Sequence, residues 1–163
     1  MVFSSVIKTL SRNTLTQELN TKLKQSKALE LSGISRLAKV LLSSVLAQSQ
    51  EQNILIVCAT LEEAGRWTAQ MEVMGWQNVY FYPTSESSPY DLLNSESEMV
   101  WGQMQVLSSL NESKPRAIIA TERALQPHLP PPSAFYDACI TLKVGQILEI
   151  KDLQQQLTSL DYR

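Results

Sequence analysis

The stretch Leu29-Glu-Leu-Ser-Gly-Ile-Ser-Arg-Leu-Ala-Lys-Val-Leu-Leu-Ser-Ser-Val-Leu46 decides the fold class of this chain. It predicts a short strand at 28–31, a turn at Ser32-Gly33, and a helix over 34–49 with a wide apolar stripe. A nucleotide-binding α/β domain places its phosphate loop between such a strand and such a helix. The pattern is therefore typical of a P-loop NTPase-like α/β domain.

The residues of the loop itself do not supply phosphate-binding chemistry. A working loop reads G-x-x-x-x-G-K-[ST], in which glycines let backbone N–H groups converge on the phosphates. With Gly33 as an inner position, Glu30 and Ser35 replace the outer glycines, Arg36 replaces the lysine, and Leu37 replaces the hydroxyl that holds Mg²⁺. We expect a degenerate phosphate loop that neither binds nor hydrolyses ATP, in which Leu37 serves packing.

Strands and helices continue to alternate beyond this loop. Three apolar, β-branched runs predict strands at 53–59, 78–82 and 116–120, and the first has the pattern of a central strand buried on both faces. A helix is predicted after the first of these runs, capped by Thr60 and ended by Gly75. The order predicts a parallel sheet of about four or more strands with helices on both faces.

The two ends of the chain differ from this central unit. Residues 3–25 have a helical pattern that Asn13-Thr14 divides, with Thr14 as the expected cap of the second helix. The run Pro130-Pro131-Pro132 indicates a linker, and a strand at 138–144 and a helix at 150–160 are predicted beyond it. We therefore predict three segments: an N-terminal helical segment at 1–27, an α/β domain at 28–128, and the beginning of a second small α+β unit at 134–163.

Composition and charge limit the class of protein. The chain has 163 residues, of which 44% are apolar and 18% charged, enough for one globular domain and the start of another. Its net charge of −2 is divided unevenly, with +4 over 1–27, −7 over 28–112 and +1 over 113–163. The acidic central unit matches a phosphate backbone poorly. The basic N-terminal segment fits either a solvated helix face or a contact with nucleic acid or acidic protein.

Residues suited to catalysis or metal binding are scarce. The single histidine, His128, lies beside the proline run, and Cys58 and Cys139 lie in apolar runs, as expected for buried reduced thiols. No strand ends in the Asp-Glu pair with which a nucleotide-driven motor holds Mg²⁺, and no metal-ligand spacing occurs. We expect no catalytic residue, no metal and no cofactor. Because no run has the length of a membrane span or the form of a secretory signal, we expect a cytoplasmic protein.

The loop at 83–93 is the most individual segment of the chain. It follows the carboxyl end of the predicted strand 78–82, where parallel α/β sheets place their binding sites. Its residues Pro89, Tyr90 and Asp91 combine a stiff backbone with an aromatic ring that has a polar tip. They form a candidate interaction loop, although an ordinary connector fits the same residues equally well.

Several segments carry a family resemblance when they are taken together. They are Ser88-Pro89-Tyr90-Asp91 within 82–93, the strand 117–121 with Arg123-Ala-Leu-Gln-Pro127 after it, and the tail from Lys143-Val-Gly-Gln-Ile147 to Arg163. They resemble the N-terminal region of bacterial transcription-repair coupling factors (Mfd), over roughly 10–163. The resemblance implies a domain like domain 1a of the damage-recognition protein UvrB, with the phosphate loop lost at 29–37.

The resemblance also implies a function. The full protein of that family is an ATP-driven DNA translocase that removes stalled RNA polymerase and recruits the excision-repair protein UvrA. Its motor, its polymerase-binding domain and most of its UvrA-binding domain would lie beyond residue 163. The chain would then be a non-catalytic scaffold that regulates recruitment of UvrA, with 134–163 as the opening of the UvrA-binding domain. ATP, DNA and RNA polymerase would be engaged only by the full-length parent.

Two alternatives stay open at this point. Arg36 and Lys39 at a helix N-terminus could replace the usual lysine, which would make the chain a nucleotide- or DNA-binding domain of a helicase-like enzyme. The chain could also be a generic α/β interaction module without any nucleotide chemistry.

Overall fold

A computed structural model describes residues 2–84, 95–126, 129 and 131–159 of the chain. The chain divides into two compact units, Met1–Pro127 and His128–Arg163. The first unit contains the sheet and five of the described α-helices, and the second contains two short α-helices. The finer assignment of 28–128 and 134–163 to separate domains stays a prediction.

Two helices open the first unit: α1 (Val2–Ser11) and α2 (Thr14–Ser26). The division falls where it was predicted, but Asn13 is the cap in place of Thr14, because the Asn13 side chain accepts a hydrogen bond from the backbone N–H of Leu15. Both helices pack against the next helix, α3. Ile7 of α1 is buried.

The rest of the first unit alternates helices and strands. In chain order these are α3 (Arg36–Gln48), β1 (Ile54–Cys58), α4 (Leu61–Val73), β2 (Val79–Tyr82), α5 (Ser95–Ser109), β3 (Ala117–Thr121) and a 3₁₀ turn at Arg123–Leu125. The capping predictions for α4 are confirmed. Thr60 accepts a hydrogen bond from the backbone N–H of Glu63, and Gly75 follows the helix with a φ of 82°. Glycine adopts that left-handed conformation with little strain.

The described strands form one parallel sheet in the order β1-β3-β2. Ile56 of β1 and Phe81 of β2 both pair with Ile119 of the central strand β3. The α/β class and the strands predicted at 53–59, 78–82 and 116–120 are confirmed. The prediction that 53–59 is a central strand is wrong, because β1 lies at the edge of the described sheet.

The prediction of a strand at 28–31 is also wrong. The left-handed residue Lys27 ends α2, and residues 28–32 follow as irregular backbone. Leu29 and Leu31 are half-buried, while Glu30 between them is exposed. This alternation fits a strand pattern, but no described strand pairs with the segment. The described sheet therefore has three strands, fewer than the four or more predicted.

Helices pack on both faces of the sheet, as predicted. On one face, Ile56 and Ile119 join Met71 of α4 and Val45 of α3 in the larger buried cluster. Residues of β2 and β3 that point to the other face belong to a smaller cluster, in which they pack with Val106 of α5. The two layers are unequal, since only α5 among the described helices covers the second face.

The second unit contains α6 (Pro132–Asp137) and α7 (Ile150–Ser159). The predicted helix at 150–160 is confirmed within its described residues, whereas the predicted strand at 138–144 is wrong. That segment is irregular, with Leu142 60% exposed, so it buries too little apolar surface to form a strand. The proline run does not act only as a linker, because Pro132 occupies the first turn of α6, where its fixed φ favours a helix.

Candidate functional site

The segment 30–37 forms a turn followed by the first residues of α3. Gly33 lies at the centre of the turn with a φ of 71°, a conformation that favours glycine. Ser35 then caps α3, and its Oγ accepts a hydrogen bond from the backbone N–H of Ala38 at 3.3 Å. The cap occupies one of the backbone donors that a phosphate would otherwise bind.

Arg36 is the residue predicted to stand in place of the phosphate-binding lysine of a working loop. Its Nε donates a hydrogen bond to Oε1 of Gln70 on α4 at 3.3 Å, and its side chain is half-buried. The guanidinium therefore links α3 to α4. It does not stand free at the mouth of the turn.

The other predicted loop residues are exposed. Glu30, Ser35 and Lys39 are exposed to solvent, and Leu37 is 49% exposed. The expectation that Leu37 serves packing is wrong, since the fully buried residues of α3 lie elsewhere on the helix, at Val40, Ser44 and Val45. The segment is thus a turn followed by a helix, with irregular backbone before it, a carboxylate at Glu30, and Ser35 and Arg36 bonded to other residues of the chain.

The carboxyl edge of the sheet is the second place where an α/β domain could hold a ligand. Here the start of α4 satisfies its own donors. Thr60 Oγ1 accepts from the N–H of Glu63 at 3.2 Å, while Glu63 Oε2 accepts from the N–H of Ala59 at 3.4 Å. The first bond caps α4 through the Thr60 side chain and leaves one backbone donor fewer for an anion, and the second occupies the N–H of the residue before the cap.

Cys58 lies at this same edge, at the end of β1. It is 3% exposed, and burial raises the pKa of its thiol from 9.0 to about 11, with a smaller contribution from the carboxylate of Glu63. A thiol with so high a pKa is a poor nucleophile at neutral pH. The prediction of a buried reduced cysteine is confirmed for Cys58 and is wrong for Cys139, which is exposed.

Some predicted residues lie outside the described part of the chain. The candidate interaction loop at Pro89, Tyr90 and Asp91 is among them, and so is His128. Within the described ranges, no group of three or more His, Cys, Asp or Glu side chains is placed to hold a metal ion. None of the helices in those ranges is long and apolar enough to cross a membrane.

Two polar residues of the first unit were missed by the sequence reasoning. Nothing in the sequence indicated the role of Gln70, because a helical pattern does not show with which residue a side-chain amide forms a hydrogen bond. Arg116 precedes β3 and is 1% exposed, with Nη2 donating to the carbonyl oxygens of Glu112 at 2.6 Å and Lys114 at 2.8 Å. These bonds stabilise the turn before the central strand. In the sequence, the only indication of this role was the position of Arg116 directly before an apolar run.

These features define an α/β domain with a small parallel sheet of three described strands. The chain is similar to transcription-repair-coupling factors: 23% identical over 126 residues to that of Haemophilus influenzae, and 22% identical over 148 residues to that of Staphylococcus aureus. The matches cover 77% and 90% of the chain. The chain is thus related to a region of these proteins.

The similarity is distant and limited to a small part of the relatives. The matched region makes up 11% of the Haemophilus influenzae protein and 13% of the Staphylococcus aureus protein. No family model matches the chain. No solved structure matches it. The relationship associates the chain with transcription-repair coupling and does not extend to the activities of the whole relatives.

Proposed function

We propose that the chain is a non-catalytic, UvrB-like module of transcription-repair coupling. The observation that carries this proposal is the similarity to transcription-repair-coupling factors over 77–90% of the chain. The turn at 30–37 supports it, because Ser35 caps the helix, Arg36 is hydrogen-bonded to Gln70, and Glu30 adds a negative charge. The module binds no cofactor and catalyses no reaction of its own.

In this proposal the module serves as a scaffold in the recruitment of UvrA. Residues 134–163 are the beginning of a UvrA-binding unit, and the exposed apolar residues of the second unit support this role. Three apolar residues are each at least 69% exposed, a larger exposure than residues of a complete apolar core have: Val144, Ile147 and Ile150. Residues 28–128 precede that unit in the chain and contribute no contact with ATP, and DNA and RNA polymerase are engaged by the parent protein.

Calorimetry with Mg·ATP tests the absence of a nucleotide site. A carboxylate at ~4 Å from a phosphate charge costs about 4 kcal/mol at an effective dielectric of ~20, roughly a thousandfold in affinity. We expect no heat of binding for the chain or for its Arg36→Ala variant. A micromolar dissociation constant that Arg36→Ala abolishes would support the alternative, a helicase-like nucleotide site that uses Arg36 and Lys39.

Titration with UvrA tests the scaffold role. The chain is compared with a hybrid that is extended at residue 163 by about 50–100 residues of the Staphylococcus aureus relative, the size of a small domain. We expect weak or undetectable binding for the chain and clear binding for the hybrid. If the two bind equally, 134–163 is not an incomplete binding unit. If neither binds, the recruitment role is wrong, whatever the calorimetry shows.

A further inference from the structure

We draw no further inference here: the strongest candidate, the outer edge of β1 with the exposed side chains of Leu55 and Val57, is an unpartnered apolar face, and nothing in the described part of the chain shows what covers it.

Discussion

Replacing Ser44 by alanine tests how α3 is held to the rest of its domain. Ser44 Oγ accepts a hydrogen bond from Nε1 of Trp76 at 3.0 Å and donates one to Sδ of Met71 at 3.3 Å, and all three residues are buried. The substitution leaves the indole N–H without an acceptor. Because an orphaned buried donor costs about 1–3 kcal/mol, we expect the free energy of unfolding to fall by about 2 kcal/mol.

A double-mutant cycle with Trp76→Phe separates this hydrogen bond from other effects. Phenylalanine removes the N–H, and Ser44 then keeps Met71 as its acceptor. In that background Ser44→Ala should cost about 1 kcal/mol less than in the unmodified chain, which is the coupling energy of the pair. Urea unfolding followed by far-UV circular dichroism measures all four proteins, and a constant m-value supports the comparison.

Ser43→Ala is the control for the cycle. Ser43 Oγ donates only to the carbonyl oxygen of Val40 in its own helix, at 3.0 Å, so its loss should change stability by no more than about 0.5 kcal/mol. Equal costs of Ser44→Ala in the two backgrounds would refute the reasoning. The hydrogen bond from Trp76 would then contribute nothing measurable, and the cost would come from packing and from the bond to Met71.

Three further outcomes are expected. The pKa of Cys58 is raised from 9.0 to about 11, so the unfolded chain loses this proton first and stability should fall as pH rises from 9 to 11. Alkaline unfolding experiments should show a smaller fall for Cys58→Ala, in which only the raised pKa of the buried Tyr82 remains. Lys27→Gly should raise the free energy of unfolding by about 0.5–1 kcal/mol, because Lys27 has a φ of 56°, and urea unfolding measures it. Fluorescence titration with duplex DNA should show no binding at physiological salt; any low-salt binding through the basic segment 1–27 should weaken steeply as salt rises, and salt-insensitive submicromolar binding would contradict the charge distribution.

The sequence predicted most accurately the strand whose apolar residues are buried on both faces of the sheet. The run at 116–120 is the clearest case, because β3 is central and its residues Ala117, Ile119 and Ala120 are fully buried. The same reasoning overestimated the burial of β1. A continuous apolar run indicates a strand but does not show how many neighbours cover it, so the exposure of Leu55 and Val57 had no signal in the sequence.

Failures at the ends of the chain have a different cause. The segments 28–31 and 138–144 both alternate apolar and polar residues, as strands do, but a strand also needs a neighbour to pair with its backbone. Nothing in the local pattern supplies that information. Local sequence had the same limit at the candidate site. The sequence predicted the turn at Gly33, but it could not predict the hydrogen bond from Arg36 to Gln70, because that bond depends on how two helices pack.

The order of strands has a consequence for how the chain folds during synthesis. β1 and β2 do not pair with each other, and each pairs only with β3, which is the last of the three to leave the ribosome. The sheet therefore cannot form until about residue 121 has emerged. Until then β1 and β2 depend on helices alone for burial, so a translational pause before β3 would extend the lifetime of an aggregation-prone nascent chain.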